Sequence, residues 1–336
     1  MLSIIVPVYN VKDYVVRCLT SVAQQQFSDY EVIVVDDGST DGSAALVDDF
    51  CAQNPRFRVI HKENGGLMSA WMKGVTYAIG DYFGFVDSDD YVSDTMYVRM
   101  YEVAKQYDAD IVMCDRYDVD LVSGQTIVKK AVIEPGYYAG ESMEKIYSCV
   151  LPKFSGVHIT NSRTNKIFKR ELFLFNTRYC EGLSRICEDR FITPGCMFGA
   201  KSFYYLDEPH YYYINNRPGA NHSMPSEKLQ DALESLHEMQ VQMIHDHGKA
   251  DRYLESVERA NLNYLRLMIM RNFAGKGAFS LRRRLAKRVL KSELYAAAVR
   301  NYSQDLTGKL GVAVKWLFRI KSPTLFVLVC SLAGSY

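Results

Sequence analysis

No G-x-G-x-x-G follows the first apolar run of this chain, and no G-x-x-x-x-G-K-[ST] occurs anywhere in it. Dinucleotide-dependent enzymes and P-loop NTPases are therefore disfavoured, because both need glycine backbone close to phosphate. The eight cysteines include no C-x-x-C pair, and the closest set, Cys180, Cys187 and Cys196, has no suitably spaced histidines. That argues against a zinc site and for reduced thiols. The first apolar strand begins at the second or third residue, leaving no room before it for a charged-then-apolar secretory leader, so a cytoplasmic location is expected. No apolar run reaches the ~20 residues that span a bilayer. Hydrophobic content of 48% and charged content of 24% argue against disorder.

Net charge is also nearly absent, at +1, yet it is unevenly placed. From Lys276 to Tyr336 there are twelve Lys/Arg against Glu293 and Asp305, a net +10, which leaves −9 for everything before. A basic and partly apolar tail on an acidic body points to an anionic membrane surface rather than to nucleic acid.

The front of the chain alternates strands and helices. Leu2 to Val8 reads as a strand, and the segment through Asn10 turns into a helix with Val15, Cys18, Leu19 and Val22 on one face. Glu31 to Val35 is a second strand, closed by the polar turn from Asp36 to Gly42. Capping explains one of the paired acids Asp36 and Asp37 but not both. Asp37 stands where it could accept the imide N–H of a uracil, with Tyr9 against the base. Arg58 to His61, a helix carrying Leu67, Trp71, Val75, Ala78 and Ile79, the strand from Tyr82, a helix from Thr95 to Tyr107 and a strand from Asp110 to Cys114 complete a βαβαβαβ series. Its length, roughly a hundred residues, is that of a mononucleotide-binding half.

The run Tyr82 to Asp90 is the centre of the argument: an apolar strand that ends in Asp87, Ser88, Asp89 and Asp90. Open α/β sheets bind ligands beyond the carboxyl ends of their strands. In extended chain Asp87 and Asp89 share a side, so their oxygens could face one hard cation, Mn2+ or Mg2+. A lone D-x-D is as well read as an acidic loop in which Asp90 or Ser93 caps the next helix.

Four pieces, SIIVPVYN (Ser3 to Asn10), VDDGSTD (Val35 to Asp41), NGG (Asn64 to Gly66) and FVDSDD (Phe85 to Asp90), in this order and spacing, resemble the donor half of inverting family 2 glycosyltransferases. The resemblance is close over about the first 115 residues. It implies an α/β fold of the GT-A type, a Rossmann-like, mostly parallel central sheet, here with an α-helical C-terminal extension. It also implies a UDP-sugar donor held by Pro7, Val8, Tyr9, Asp37, Asn64, Asp87 and Ser88, with Asp89 on the metal. The family's catalytic E-D pair falls on Glu188 and Asp189, and Asp189 is the expected base. An acceptor hydroxyl must lose a proton as it attacks from the face opposite the departing diphosphate. Without the family register the pair reads as acids favoured at a helix N-terminus.

Asn165 to Phe173 resembles a family segment of the W-N-K-L-Y-K-R type, whose basic residues would face diphosphate or acceptor, or else start a solvated helix. The loop around Arg217 and His222 resembles family loops that close over nucleotide, with Arg217 on phosphate; a plain surface turn competes. Three departures stand out, one of them Cys187 in place of the glycine before the E-D pair. Trp71 and Met72 replace an Arg-Asn pair after N-x-G, leaving Lys73 as one substitute for the lost cation, and Thr164 replaces a tryptophan.

The expected organisation is a nucleotide-sugar half (1–115), an acceptor half (116–225) and a helical C-terminal region (226–336). That last region carries amphipathic helices over Glu227 to Asp246 and Arg252 to Phe273, then a basic tail with Trp316 that lies in the membrane interface or packs as core. The acceptor expected from the resemblance and the tail is a glycan or a polyprenyl-diphosphate-linked intermediate at the inner face of the cell membrane. A homo-oligomer is left open. Rival functions are a catalytically impaired nucleotide-sugar-binding module and a nucleotidyltransferase, the latter lacking its glycine- and arginine-rich loop after Val8.

Overall fold

The computed structural model describes residues 1–151, 159–180, 189–215, 227–273 and 278–333. Chain contacts divide into two compact units: Met1–Tyr147 with Thr160–Ala220, and Ser148–Ile159 with Asn221–Tyr336.

In the first unit β1 (Leu2–Val8), α1 (Val15–Ala23), β2 (Tyr30–Asp36), α2 (Ser43–Ala52), β3 (Phe57–His61), α3 (Leu67–Tyr77) and β4 (Tyr82–Phe85) follow the expected alternation. These four strands are parallel neighbours in the order β3-β2-β1-β4. All seven residues of β1 are buried, as a strand covered on both faces requires. The α1 face packs Val15, Cys18, Leu19 and Val22 into that core. On α3, Trp71 and Val75 are buried but Leu67 is exposed, and Ile79, exposed too, lies beyond the helix end, so the apolar stripe is narrower than its sequence suggests.

After β4 come β5 (Tyr91–Val92), α4 (Met96–Tyr107), β6 (Ile111–Asp120), β7 (Thr126–Lys129), β8 (Gly136–Ala139), α5 (Met143–Tyr147), β9 (Lys166–Lys169), α6 (Arg170–Asn176), α7 (Asp189–Gly199) and β10 (Ser202–Asn215). β7 pairs antiparallel with the long end of β6, forming a hairpin after Asp115. β6 does not lie beside β4. The short strand β9 sits between them, antiparallel to both, with Phe168 opposite Phe83 on one side and Ile111 on the other.

This corrects the reading of Asn165 to Phe173. Lys166, Ile167 and Phe168 are fully buried at the centre of the sheet, Lys169 pairs with Asp108 at 2.9 Å, and Arg170 donates to the Ala78 carbonyl at 2.6 Å. These five contiguous residues serve the sheet and its edges; an apolar pair between lysines is what a four-residue central strand needs.

In the second unit α8 (Glu227–Asp246), α9 (Ala250–Asn272), α10 (Phe279–Lys291), α11 (Glu293–Asn301), α12 (Gly308–Ile320) and α13 (Pro323–Ala333) follow one another. The segment His245 to His247 is a helix end: Gly248, at φ +64°, donates back to His245. The last apolar run turns Phe326, Val327 and Cys330 inward, with the Phe326 ring 5.1 Å from Phe273, so much of it is core of its own unit rather than free membrane-seeking surface. Trp316 stays 47% exposed. No helix among the described residues is long and apolar enough to cross a membrane.

Candidate active site

The carboxyl ends of β1, β2 and β4 open onto one cavity of about 410 Å3. Pro7, Val8 and Tyr9 enter it from β1, Asp37 from the end of β2, Asn64 and Gly66 from the turn before α3, Asp87, Ser88 and Asp89 from the turn after β4, and Tyr213 from β10. The structure thus brings eight of the expected site residues to one hollow. Tyr9 is 49% exposed, an unpacked ring at the cavity wall.

The wall at Asp37 is tightly built. Its buried carboxylate accepts from Lys62 Nζ at 2.6 Å, Gly65 N–H at 2.9 Å and Gly66 N–H at 2.6 Å. Gly38, at φ +76°, lets the chain pass so close that a Cβ there would stand 3.0 Å from the Asn64 nitrogen. Asp36 is equally occupied, accepting from Ser39 N–H and facing His61 Nδ1 at 3.0 Å. Helix capping was expected to explain one of the two acids; the N-cap of α2 is Gly42 with no side-chain cap bond, and both acids have other structural partners. His61, held between Asp36 and Asp48, has its pKa raised by those two hydrogen bonds.

The acidic segment is also not extended. It turns, with Asp90 N–H donating to the Asp87 carbonyl at 2.9 Å. Asp90 is neither a helix cap nor turned to solvent: its buried carboxylate accepts from the Tyr211 hydroxyl at 2.6 Å and from Ile214 N–H at 2.8 Å. Burial, then the charges of Asp89 and Asp87, pushes its pKa well up. Arg17 donates to the Asp89 carbonyl at 2.9 Å and lies over the Tyr91 ring, fixing the turn from outside.

Beside this turn stands a group the sequence reading missed. The side chain of Arg163 is fully buried; one terminal nitrogen donates to Asp87 Oδ1 at 2.6 Å and the other to Asp189 Oδ1 at 2.5 Å. Its guanidinium carbon lies 5.8 Å from the ring centres of both Trp71 and Phe85. Trp71 in turn packs edge-on against Phe85 and Phe173. Where relatives were expected to carry an arginine, this chain puts an aromatic floor, and the cation beside Asp87 comes from Arg163. Lys73 does not replace it: that side chain is exposed and lies over Tyr77.

Lys166 holds the chain on either side of Arg163. The lysine ammonium donates to the carbonyls of Thr160 (2.8 Å) and Ser162 (2.7 Å) and to Asn165 Oδ1 (3.0 Å), while Asn165 Nδ2 donates to the Cys114 carbonyl at 2.6 Å. Burial pulls the Lys166 pKa down to about 7, against the charge of Asp189, which raises it. The only sequence signal was an arginine close before Asn165 and Lys166, with no acid near it in the chain.

Asp189 begins α7 with its side chain 27% exposed; among the described residues its Oδ2 accepts from no donor. Glu188, Arg217, Cys187 and His222 lie outside the described residues. Cys180 and Cys196 are buried free thiols. Among the described residues no group of three or more His, Cys, Asp or Glu is placed to hold a metal by itself. Asp87 and Asp89 offer an all-oxygen set suited to a hard cation that keeps water and phosphate ligands, so the residues fit Mn2+ or Mg2+ shared with a nucleotide.

Comparisons with known proteins bear on the family and the fold. Residues 3–174 match the profile described as Glycosyl transferase family 2. The chain belongs to that family. It is 32% identical to the uncharacterized glycosyltransferase EpsJ of Bacillus subtilis, over 74% of this chain and 71% of that one. It is 28% identical to a poly(ribitol-phosphate) beta-glucosyltransferase of Bacillus spizizenii, over 70% of this chain but 36% of the relative. In fold it matches S. aureus TarS 1-349 with a TM-score of 0.71 at 20% identity, covering 99% of this chain and 91% of that one. This family 2 protein is a glycosyltransferase with a GT-A-like sheet and C-terminal helices.

Proposed function

We propose that the protein transfers a sugar from a UDP-sugar, with inversion, to a hydroxyl of a glycan acceptor in cell-surface polysaccharide synthesis. We take the acceptor to be carried on a polyprenyl diphosphate at the inner face of the membrane. The observation that carries this reading is the bridge from Asp87, in the wall of the nucleotide-sized cavity, through Arg163 to Asp189. The UDP and UDP-GlcNAc complexes of TarS support the donor class, and the polymer named for the Bacillus spizizenii relative supports the acceptor class.

In this reading Tyr9 lies against the uracil, Asp37 and Asn64 meet its polar edge, and Asp87 and Ser88 meet the ribose and phosphates. Arg217 is assigned to the phosphates as well. Asp89 holds Mn2+ or Mg2+, which when bound supplies positive charge against the departing diphosphate. Asp189 Oδ2 takes the acceptor proton as the alcohol oxygen bonds to the anomeric carbon, and the bond to the diphosphate breaks with its electron pair leaving on UDP. Glu188, its neighbour in the chain, is assigned to the same catalytic pair. Arg163 holds Asp189 Oδ1 so that the second oxygen faces outward, a positioning role.

The test is Asp189→Asn in an assay that reads UDP release and, separately, UDP binding by calorimetry with GDP as control. UDP binding near wild type with transfer lost supports the assignment; near-wild-type turnover rejects it. A UDP-binding wild type that transfers nothing from a full donor panel would favour a non-catalytic binding module, and pyrophosphate as product a nucleotidyltransferase.

A further inference from the structure

The second unit contains a cavity the transfer chemistry does not use. Its volume is about 900 Å3, and it lies among α10, α11 and the α12–α13 junction. Arg283, Arg284, Lys287, Lys291 and Lys321 line it, against the single acid Glu293. That acid is already met by Arg300 at 2.9 Å, and Arg284 is met by Glu227 at 3.2 Å. Among the described residues Arg283, Lys287, Lys291 and Lys321 form no ion pair with a carboxylate. Arg288, one step round α10 and outside the cavity, is by contrast neutralised by Asp231 at 2.6 Å. Among the described residues, acids thus neutralise Arg288 outside the hollow but, of the five cations that line it, only Arg284.

Five cations about one concavity repel one another, and the low-dielectric walls strengthen that field. The arrangement favours an anion with several oxygens. One lining residue also ends an apolar surface: Lys321 caps α12, whose exposed side carries Val312 (64%), Trp316 (47%) and Ile320 (42%) at i, i+4 and i+8. Pro323, also in the lining, opens α13, where Leu325 and Leu328 are exposed. A charged hollow that continues along the chain into an apolar stripe with a tryptophan matches a ligand with phosphate at one end and hydrocarbon at the other.

We infer that this cavity binds the phosphate or diphosphate group of a membrane lipid, with the α12 stripe against the acyl region. Calling that lipid the acceptor carrier rests on the function proposed above; the binding itself does not.

The experiment uses the full chain in vesicle co-sedimentation. Vesicles of phosphatidylcholine alone are compared with vesicles containing about one quarter phosphatidylglycerol, for the wild type, for Lys287→Ala/Lys291→Ala/Lys321→Ala, and for a charge-matched control, Lys73→Ala/Lys129→Ala/Lys201→Ala. The expected result is binding to the anionic vesicles only, weakened about a hundredfold in the cavity variant and much less in the control, with inorganic diphosphate competing. Circular dichroism confirms that both variants are folded. Equal losses in the two variants, or no vesicle binding by the wild type, overturn the inference. Tight binding of inorganic diphosphate with no preference for anionic vesicles overturns the lipid assignment in favour of a soluble phosphate polymer. UDP titration of the same variants separates the two readings: intact UDP binding without vesicle binding fails this inference alone, and absent UDP binding fails the donor reading alone.

Discussion

Asp87 and Asp189, one from the turn after β4 and the other from the start of α7, share the two terminal nitrogens of a single buried guanidinium. The wall of the donor cavity and the expected base are therefore one electrostatic unit. Arg163→Met leaves two carboxylates facing each other without their cation, and breaking a buried pair of this kind costs about 3–5 kcal/mol. The expected outcome is a lower melting temperature and a kcat reduced by more than about a hundredfold, with UDP affinity falling far less. Arg163→Lys, which cannot span both acids with a planar fork, should recover stability better than kcat. Equal losses of kcat and UDP affinity in both variants would mean that Arg163 only holds the fold.

Asp89 is expected to show itself through metal dependence. Chelation should abolish transfer, added Mn2+ or Mg2+ should restore it, and Asp89→Asn should require a metal concentration at least about tenfold higher for half-maximal activity. Calorimetry of UDP binding with and without metal provides the check independent of turnover. A metal-independent wild type would remove this role.

Lys166 supplies a prediction with a sign. Its folded value is pulled to about 7 from an ordinary 10.5, so between those values the unfolded chain holds more protons than the folded one. Stability from this group therefore rises with pH across that window and is flat below it. Lys166→Met strands the acceptors of Thr160, Ser162 and Asn165 and is expected to cost about 3 kcal/mol or more at any pH. The gap in melting temperature between wild type and variant should widen from about pH 7 to about pH 10. A gap that narrows contradicts the depressed value.

Gly38 tests the cavity wall. A methyl group at φ +76° and 3.0 Å from the Asn64 nitrogen must push the Asn64–Gly66 turn off Asp37. Gly38→Ala is expected to destabilise by about 1–3 kcal/mol and to weaken UDP binding measurably in titration. Unchanged UDP affinity would show that this turn does not shape the nucleotide site.

Local signals made the parallel half of the sheet readable: β1, β2 and β4 are apolar runs that reach Asn10, Asp36 and Asp87 at or within two residues of their ends, and residues at those ends meet at one hollow. What escaped was set by distant partners. β9 is four residues long with a lysine at each end, and only its neighbours β4 and β6 make it a central strand. Asp90 resembles a helix cap until Tyr211 and Ile214 arrive from β10. Arg163 has no local sign of its role, because both acids it joins lie far away in sequence, and the replacement of the expected arginine by Trp71 is intelligible only once the Arg163 guanidinium is seen 5.8 Å from the Trp71 ring centre.

The placement of β9 also bears on how the chain is made. Until Lys166 to Lys169 have left the ribosome, the facing edges of β4 and β6 have no partner and present unfilled N–H and C=O groups to other nascent chains. The nucleotide half is thus not an autonomous folding piece. A fragment cut near Asp115 should aggregate during translation, whereas one that extends through α6 gains the strand that seals it.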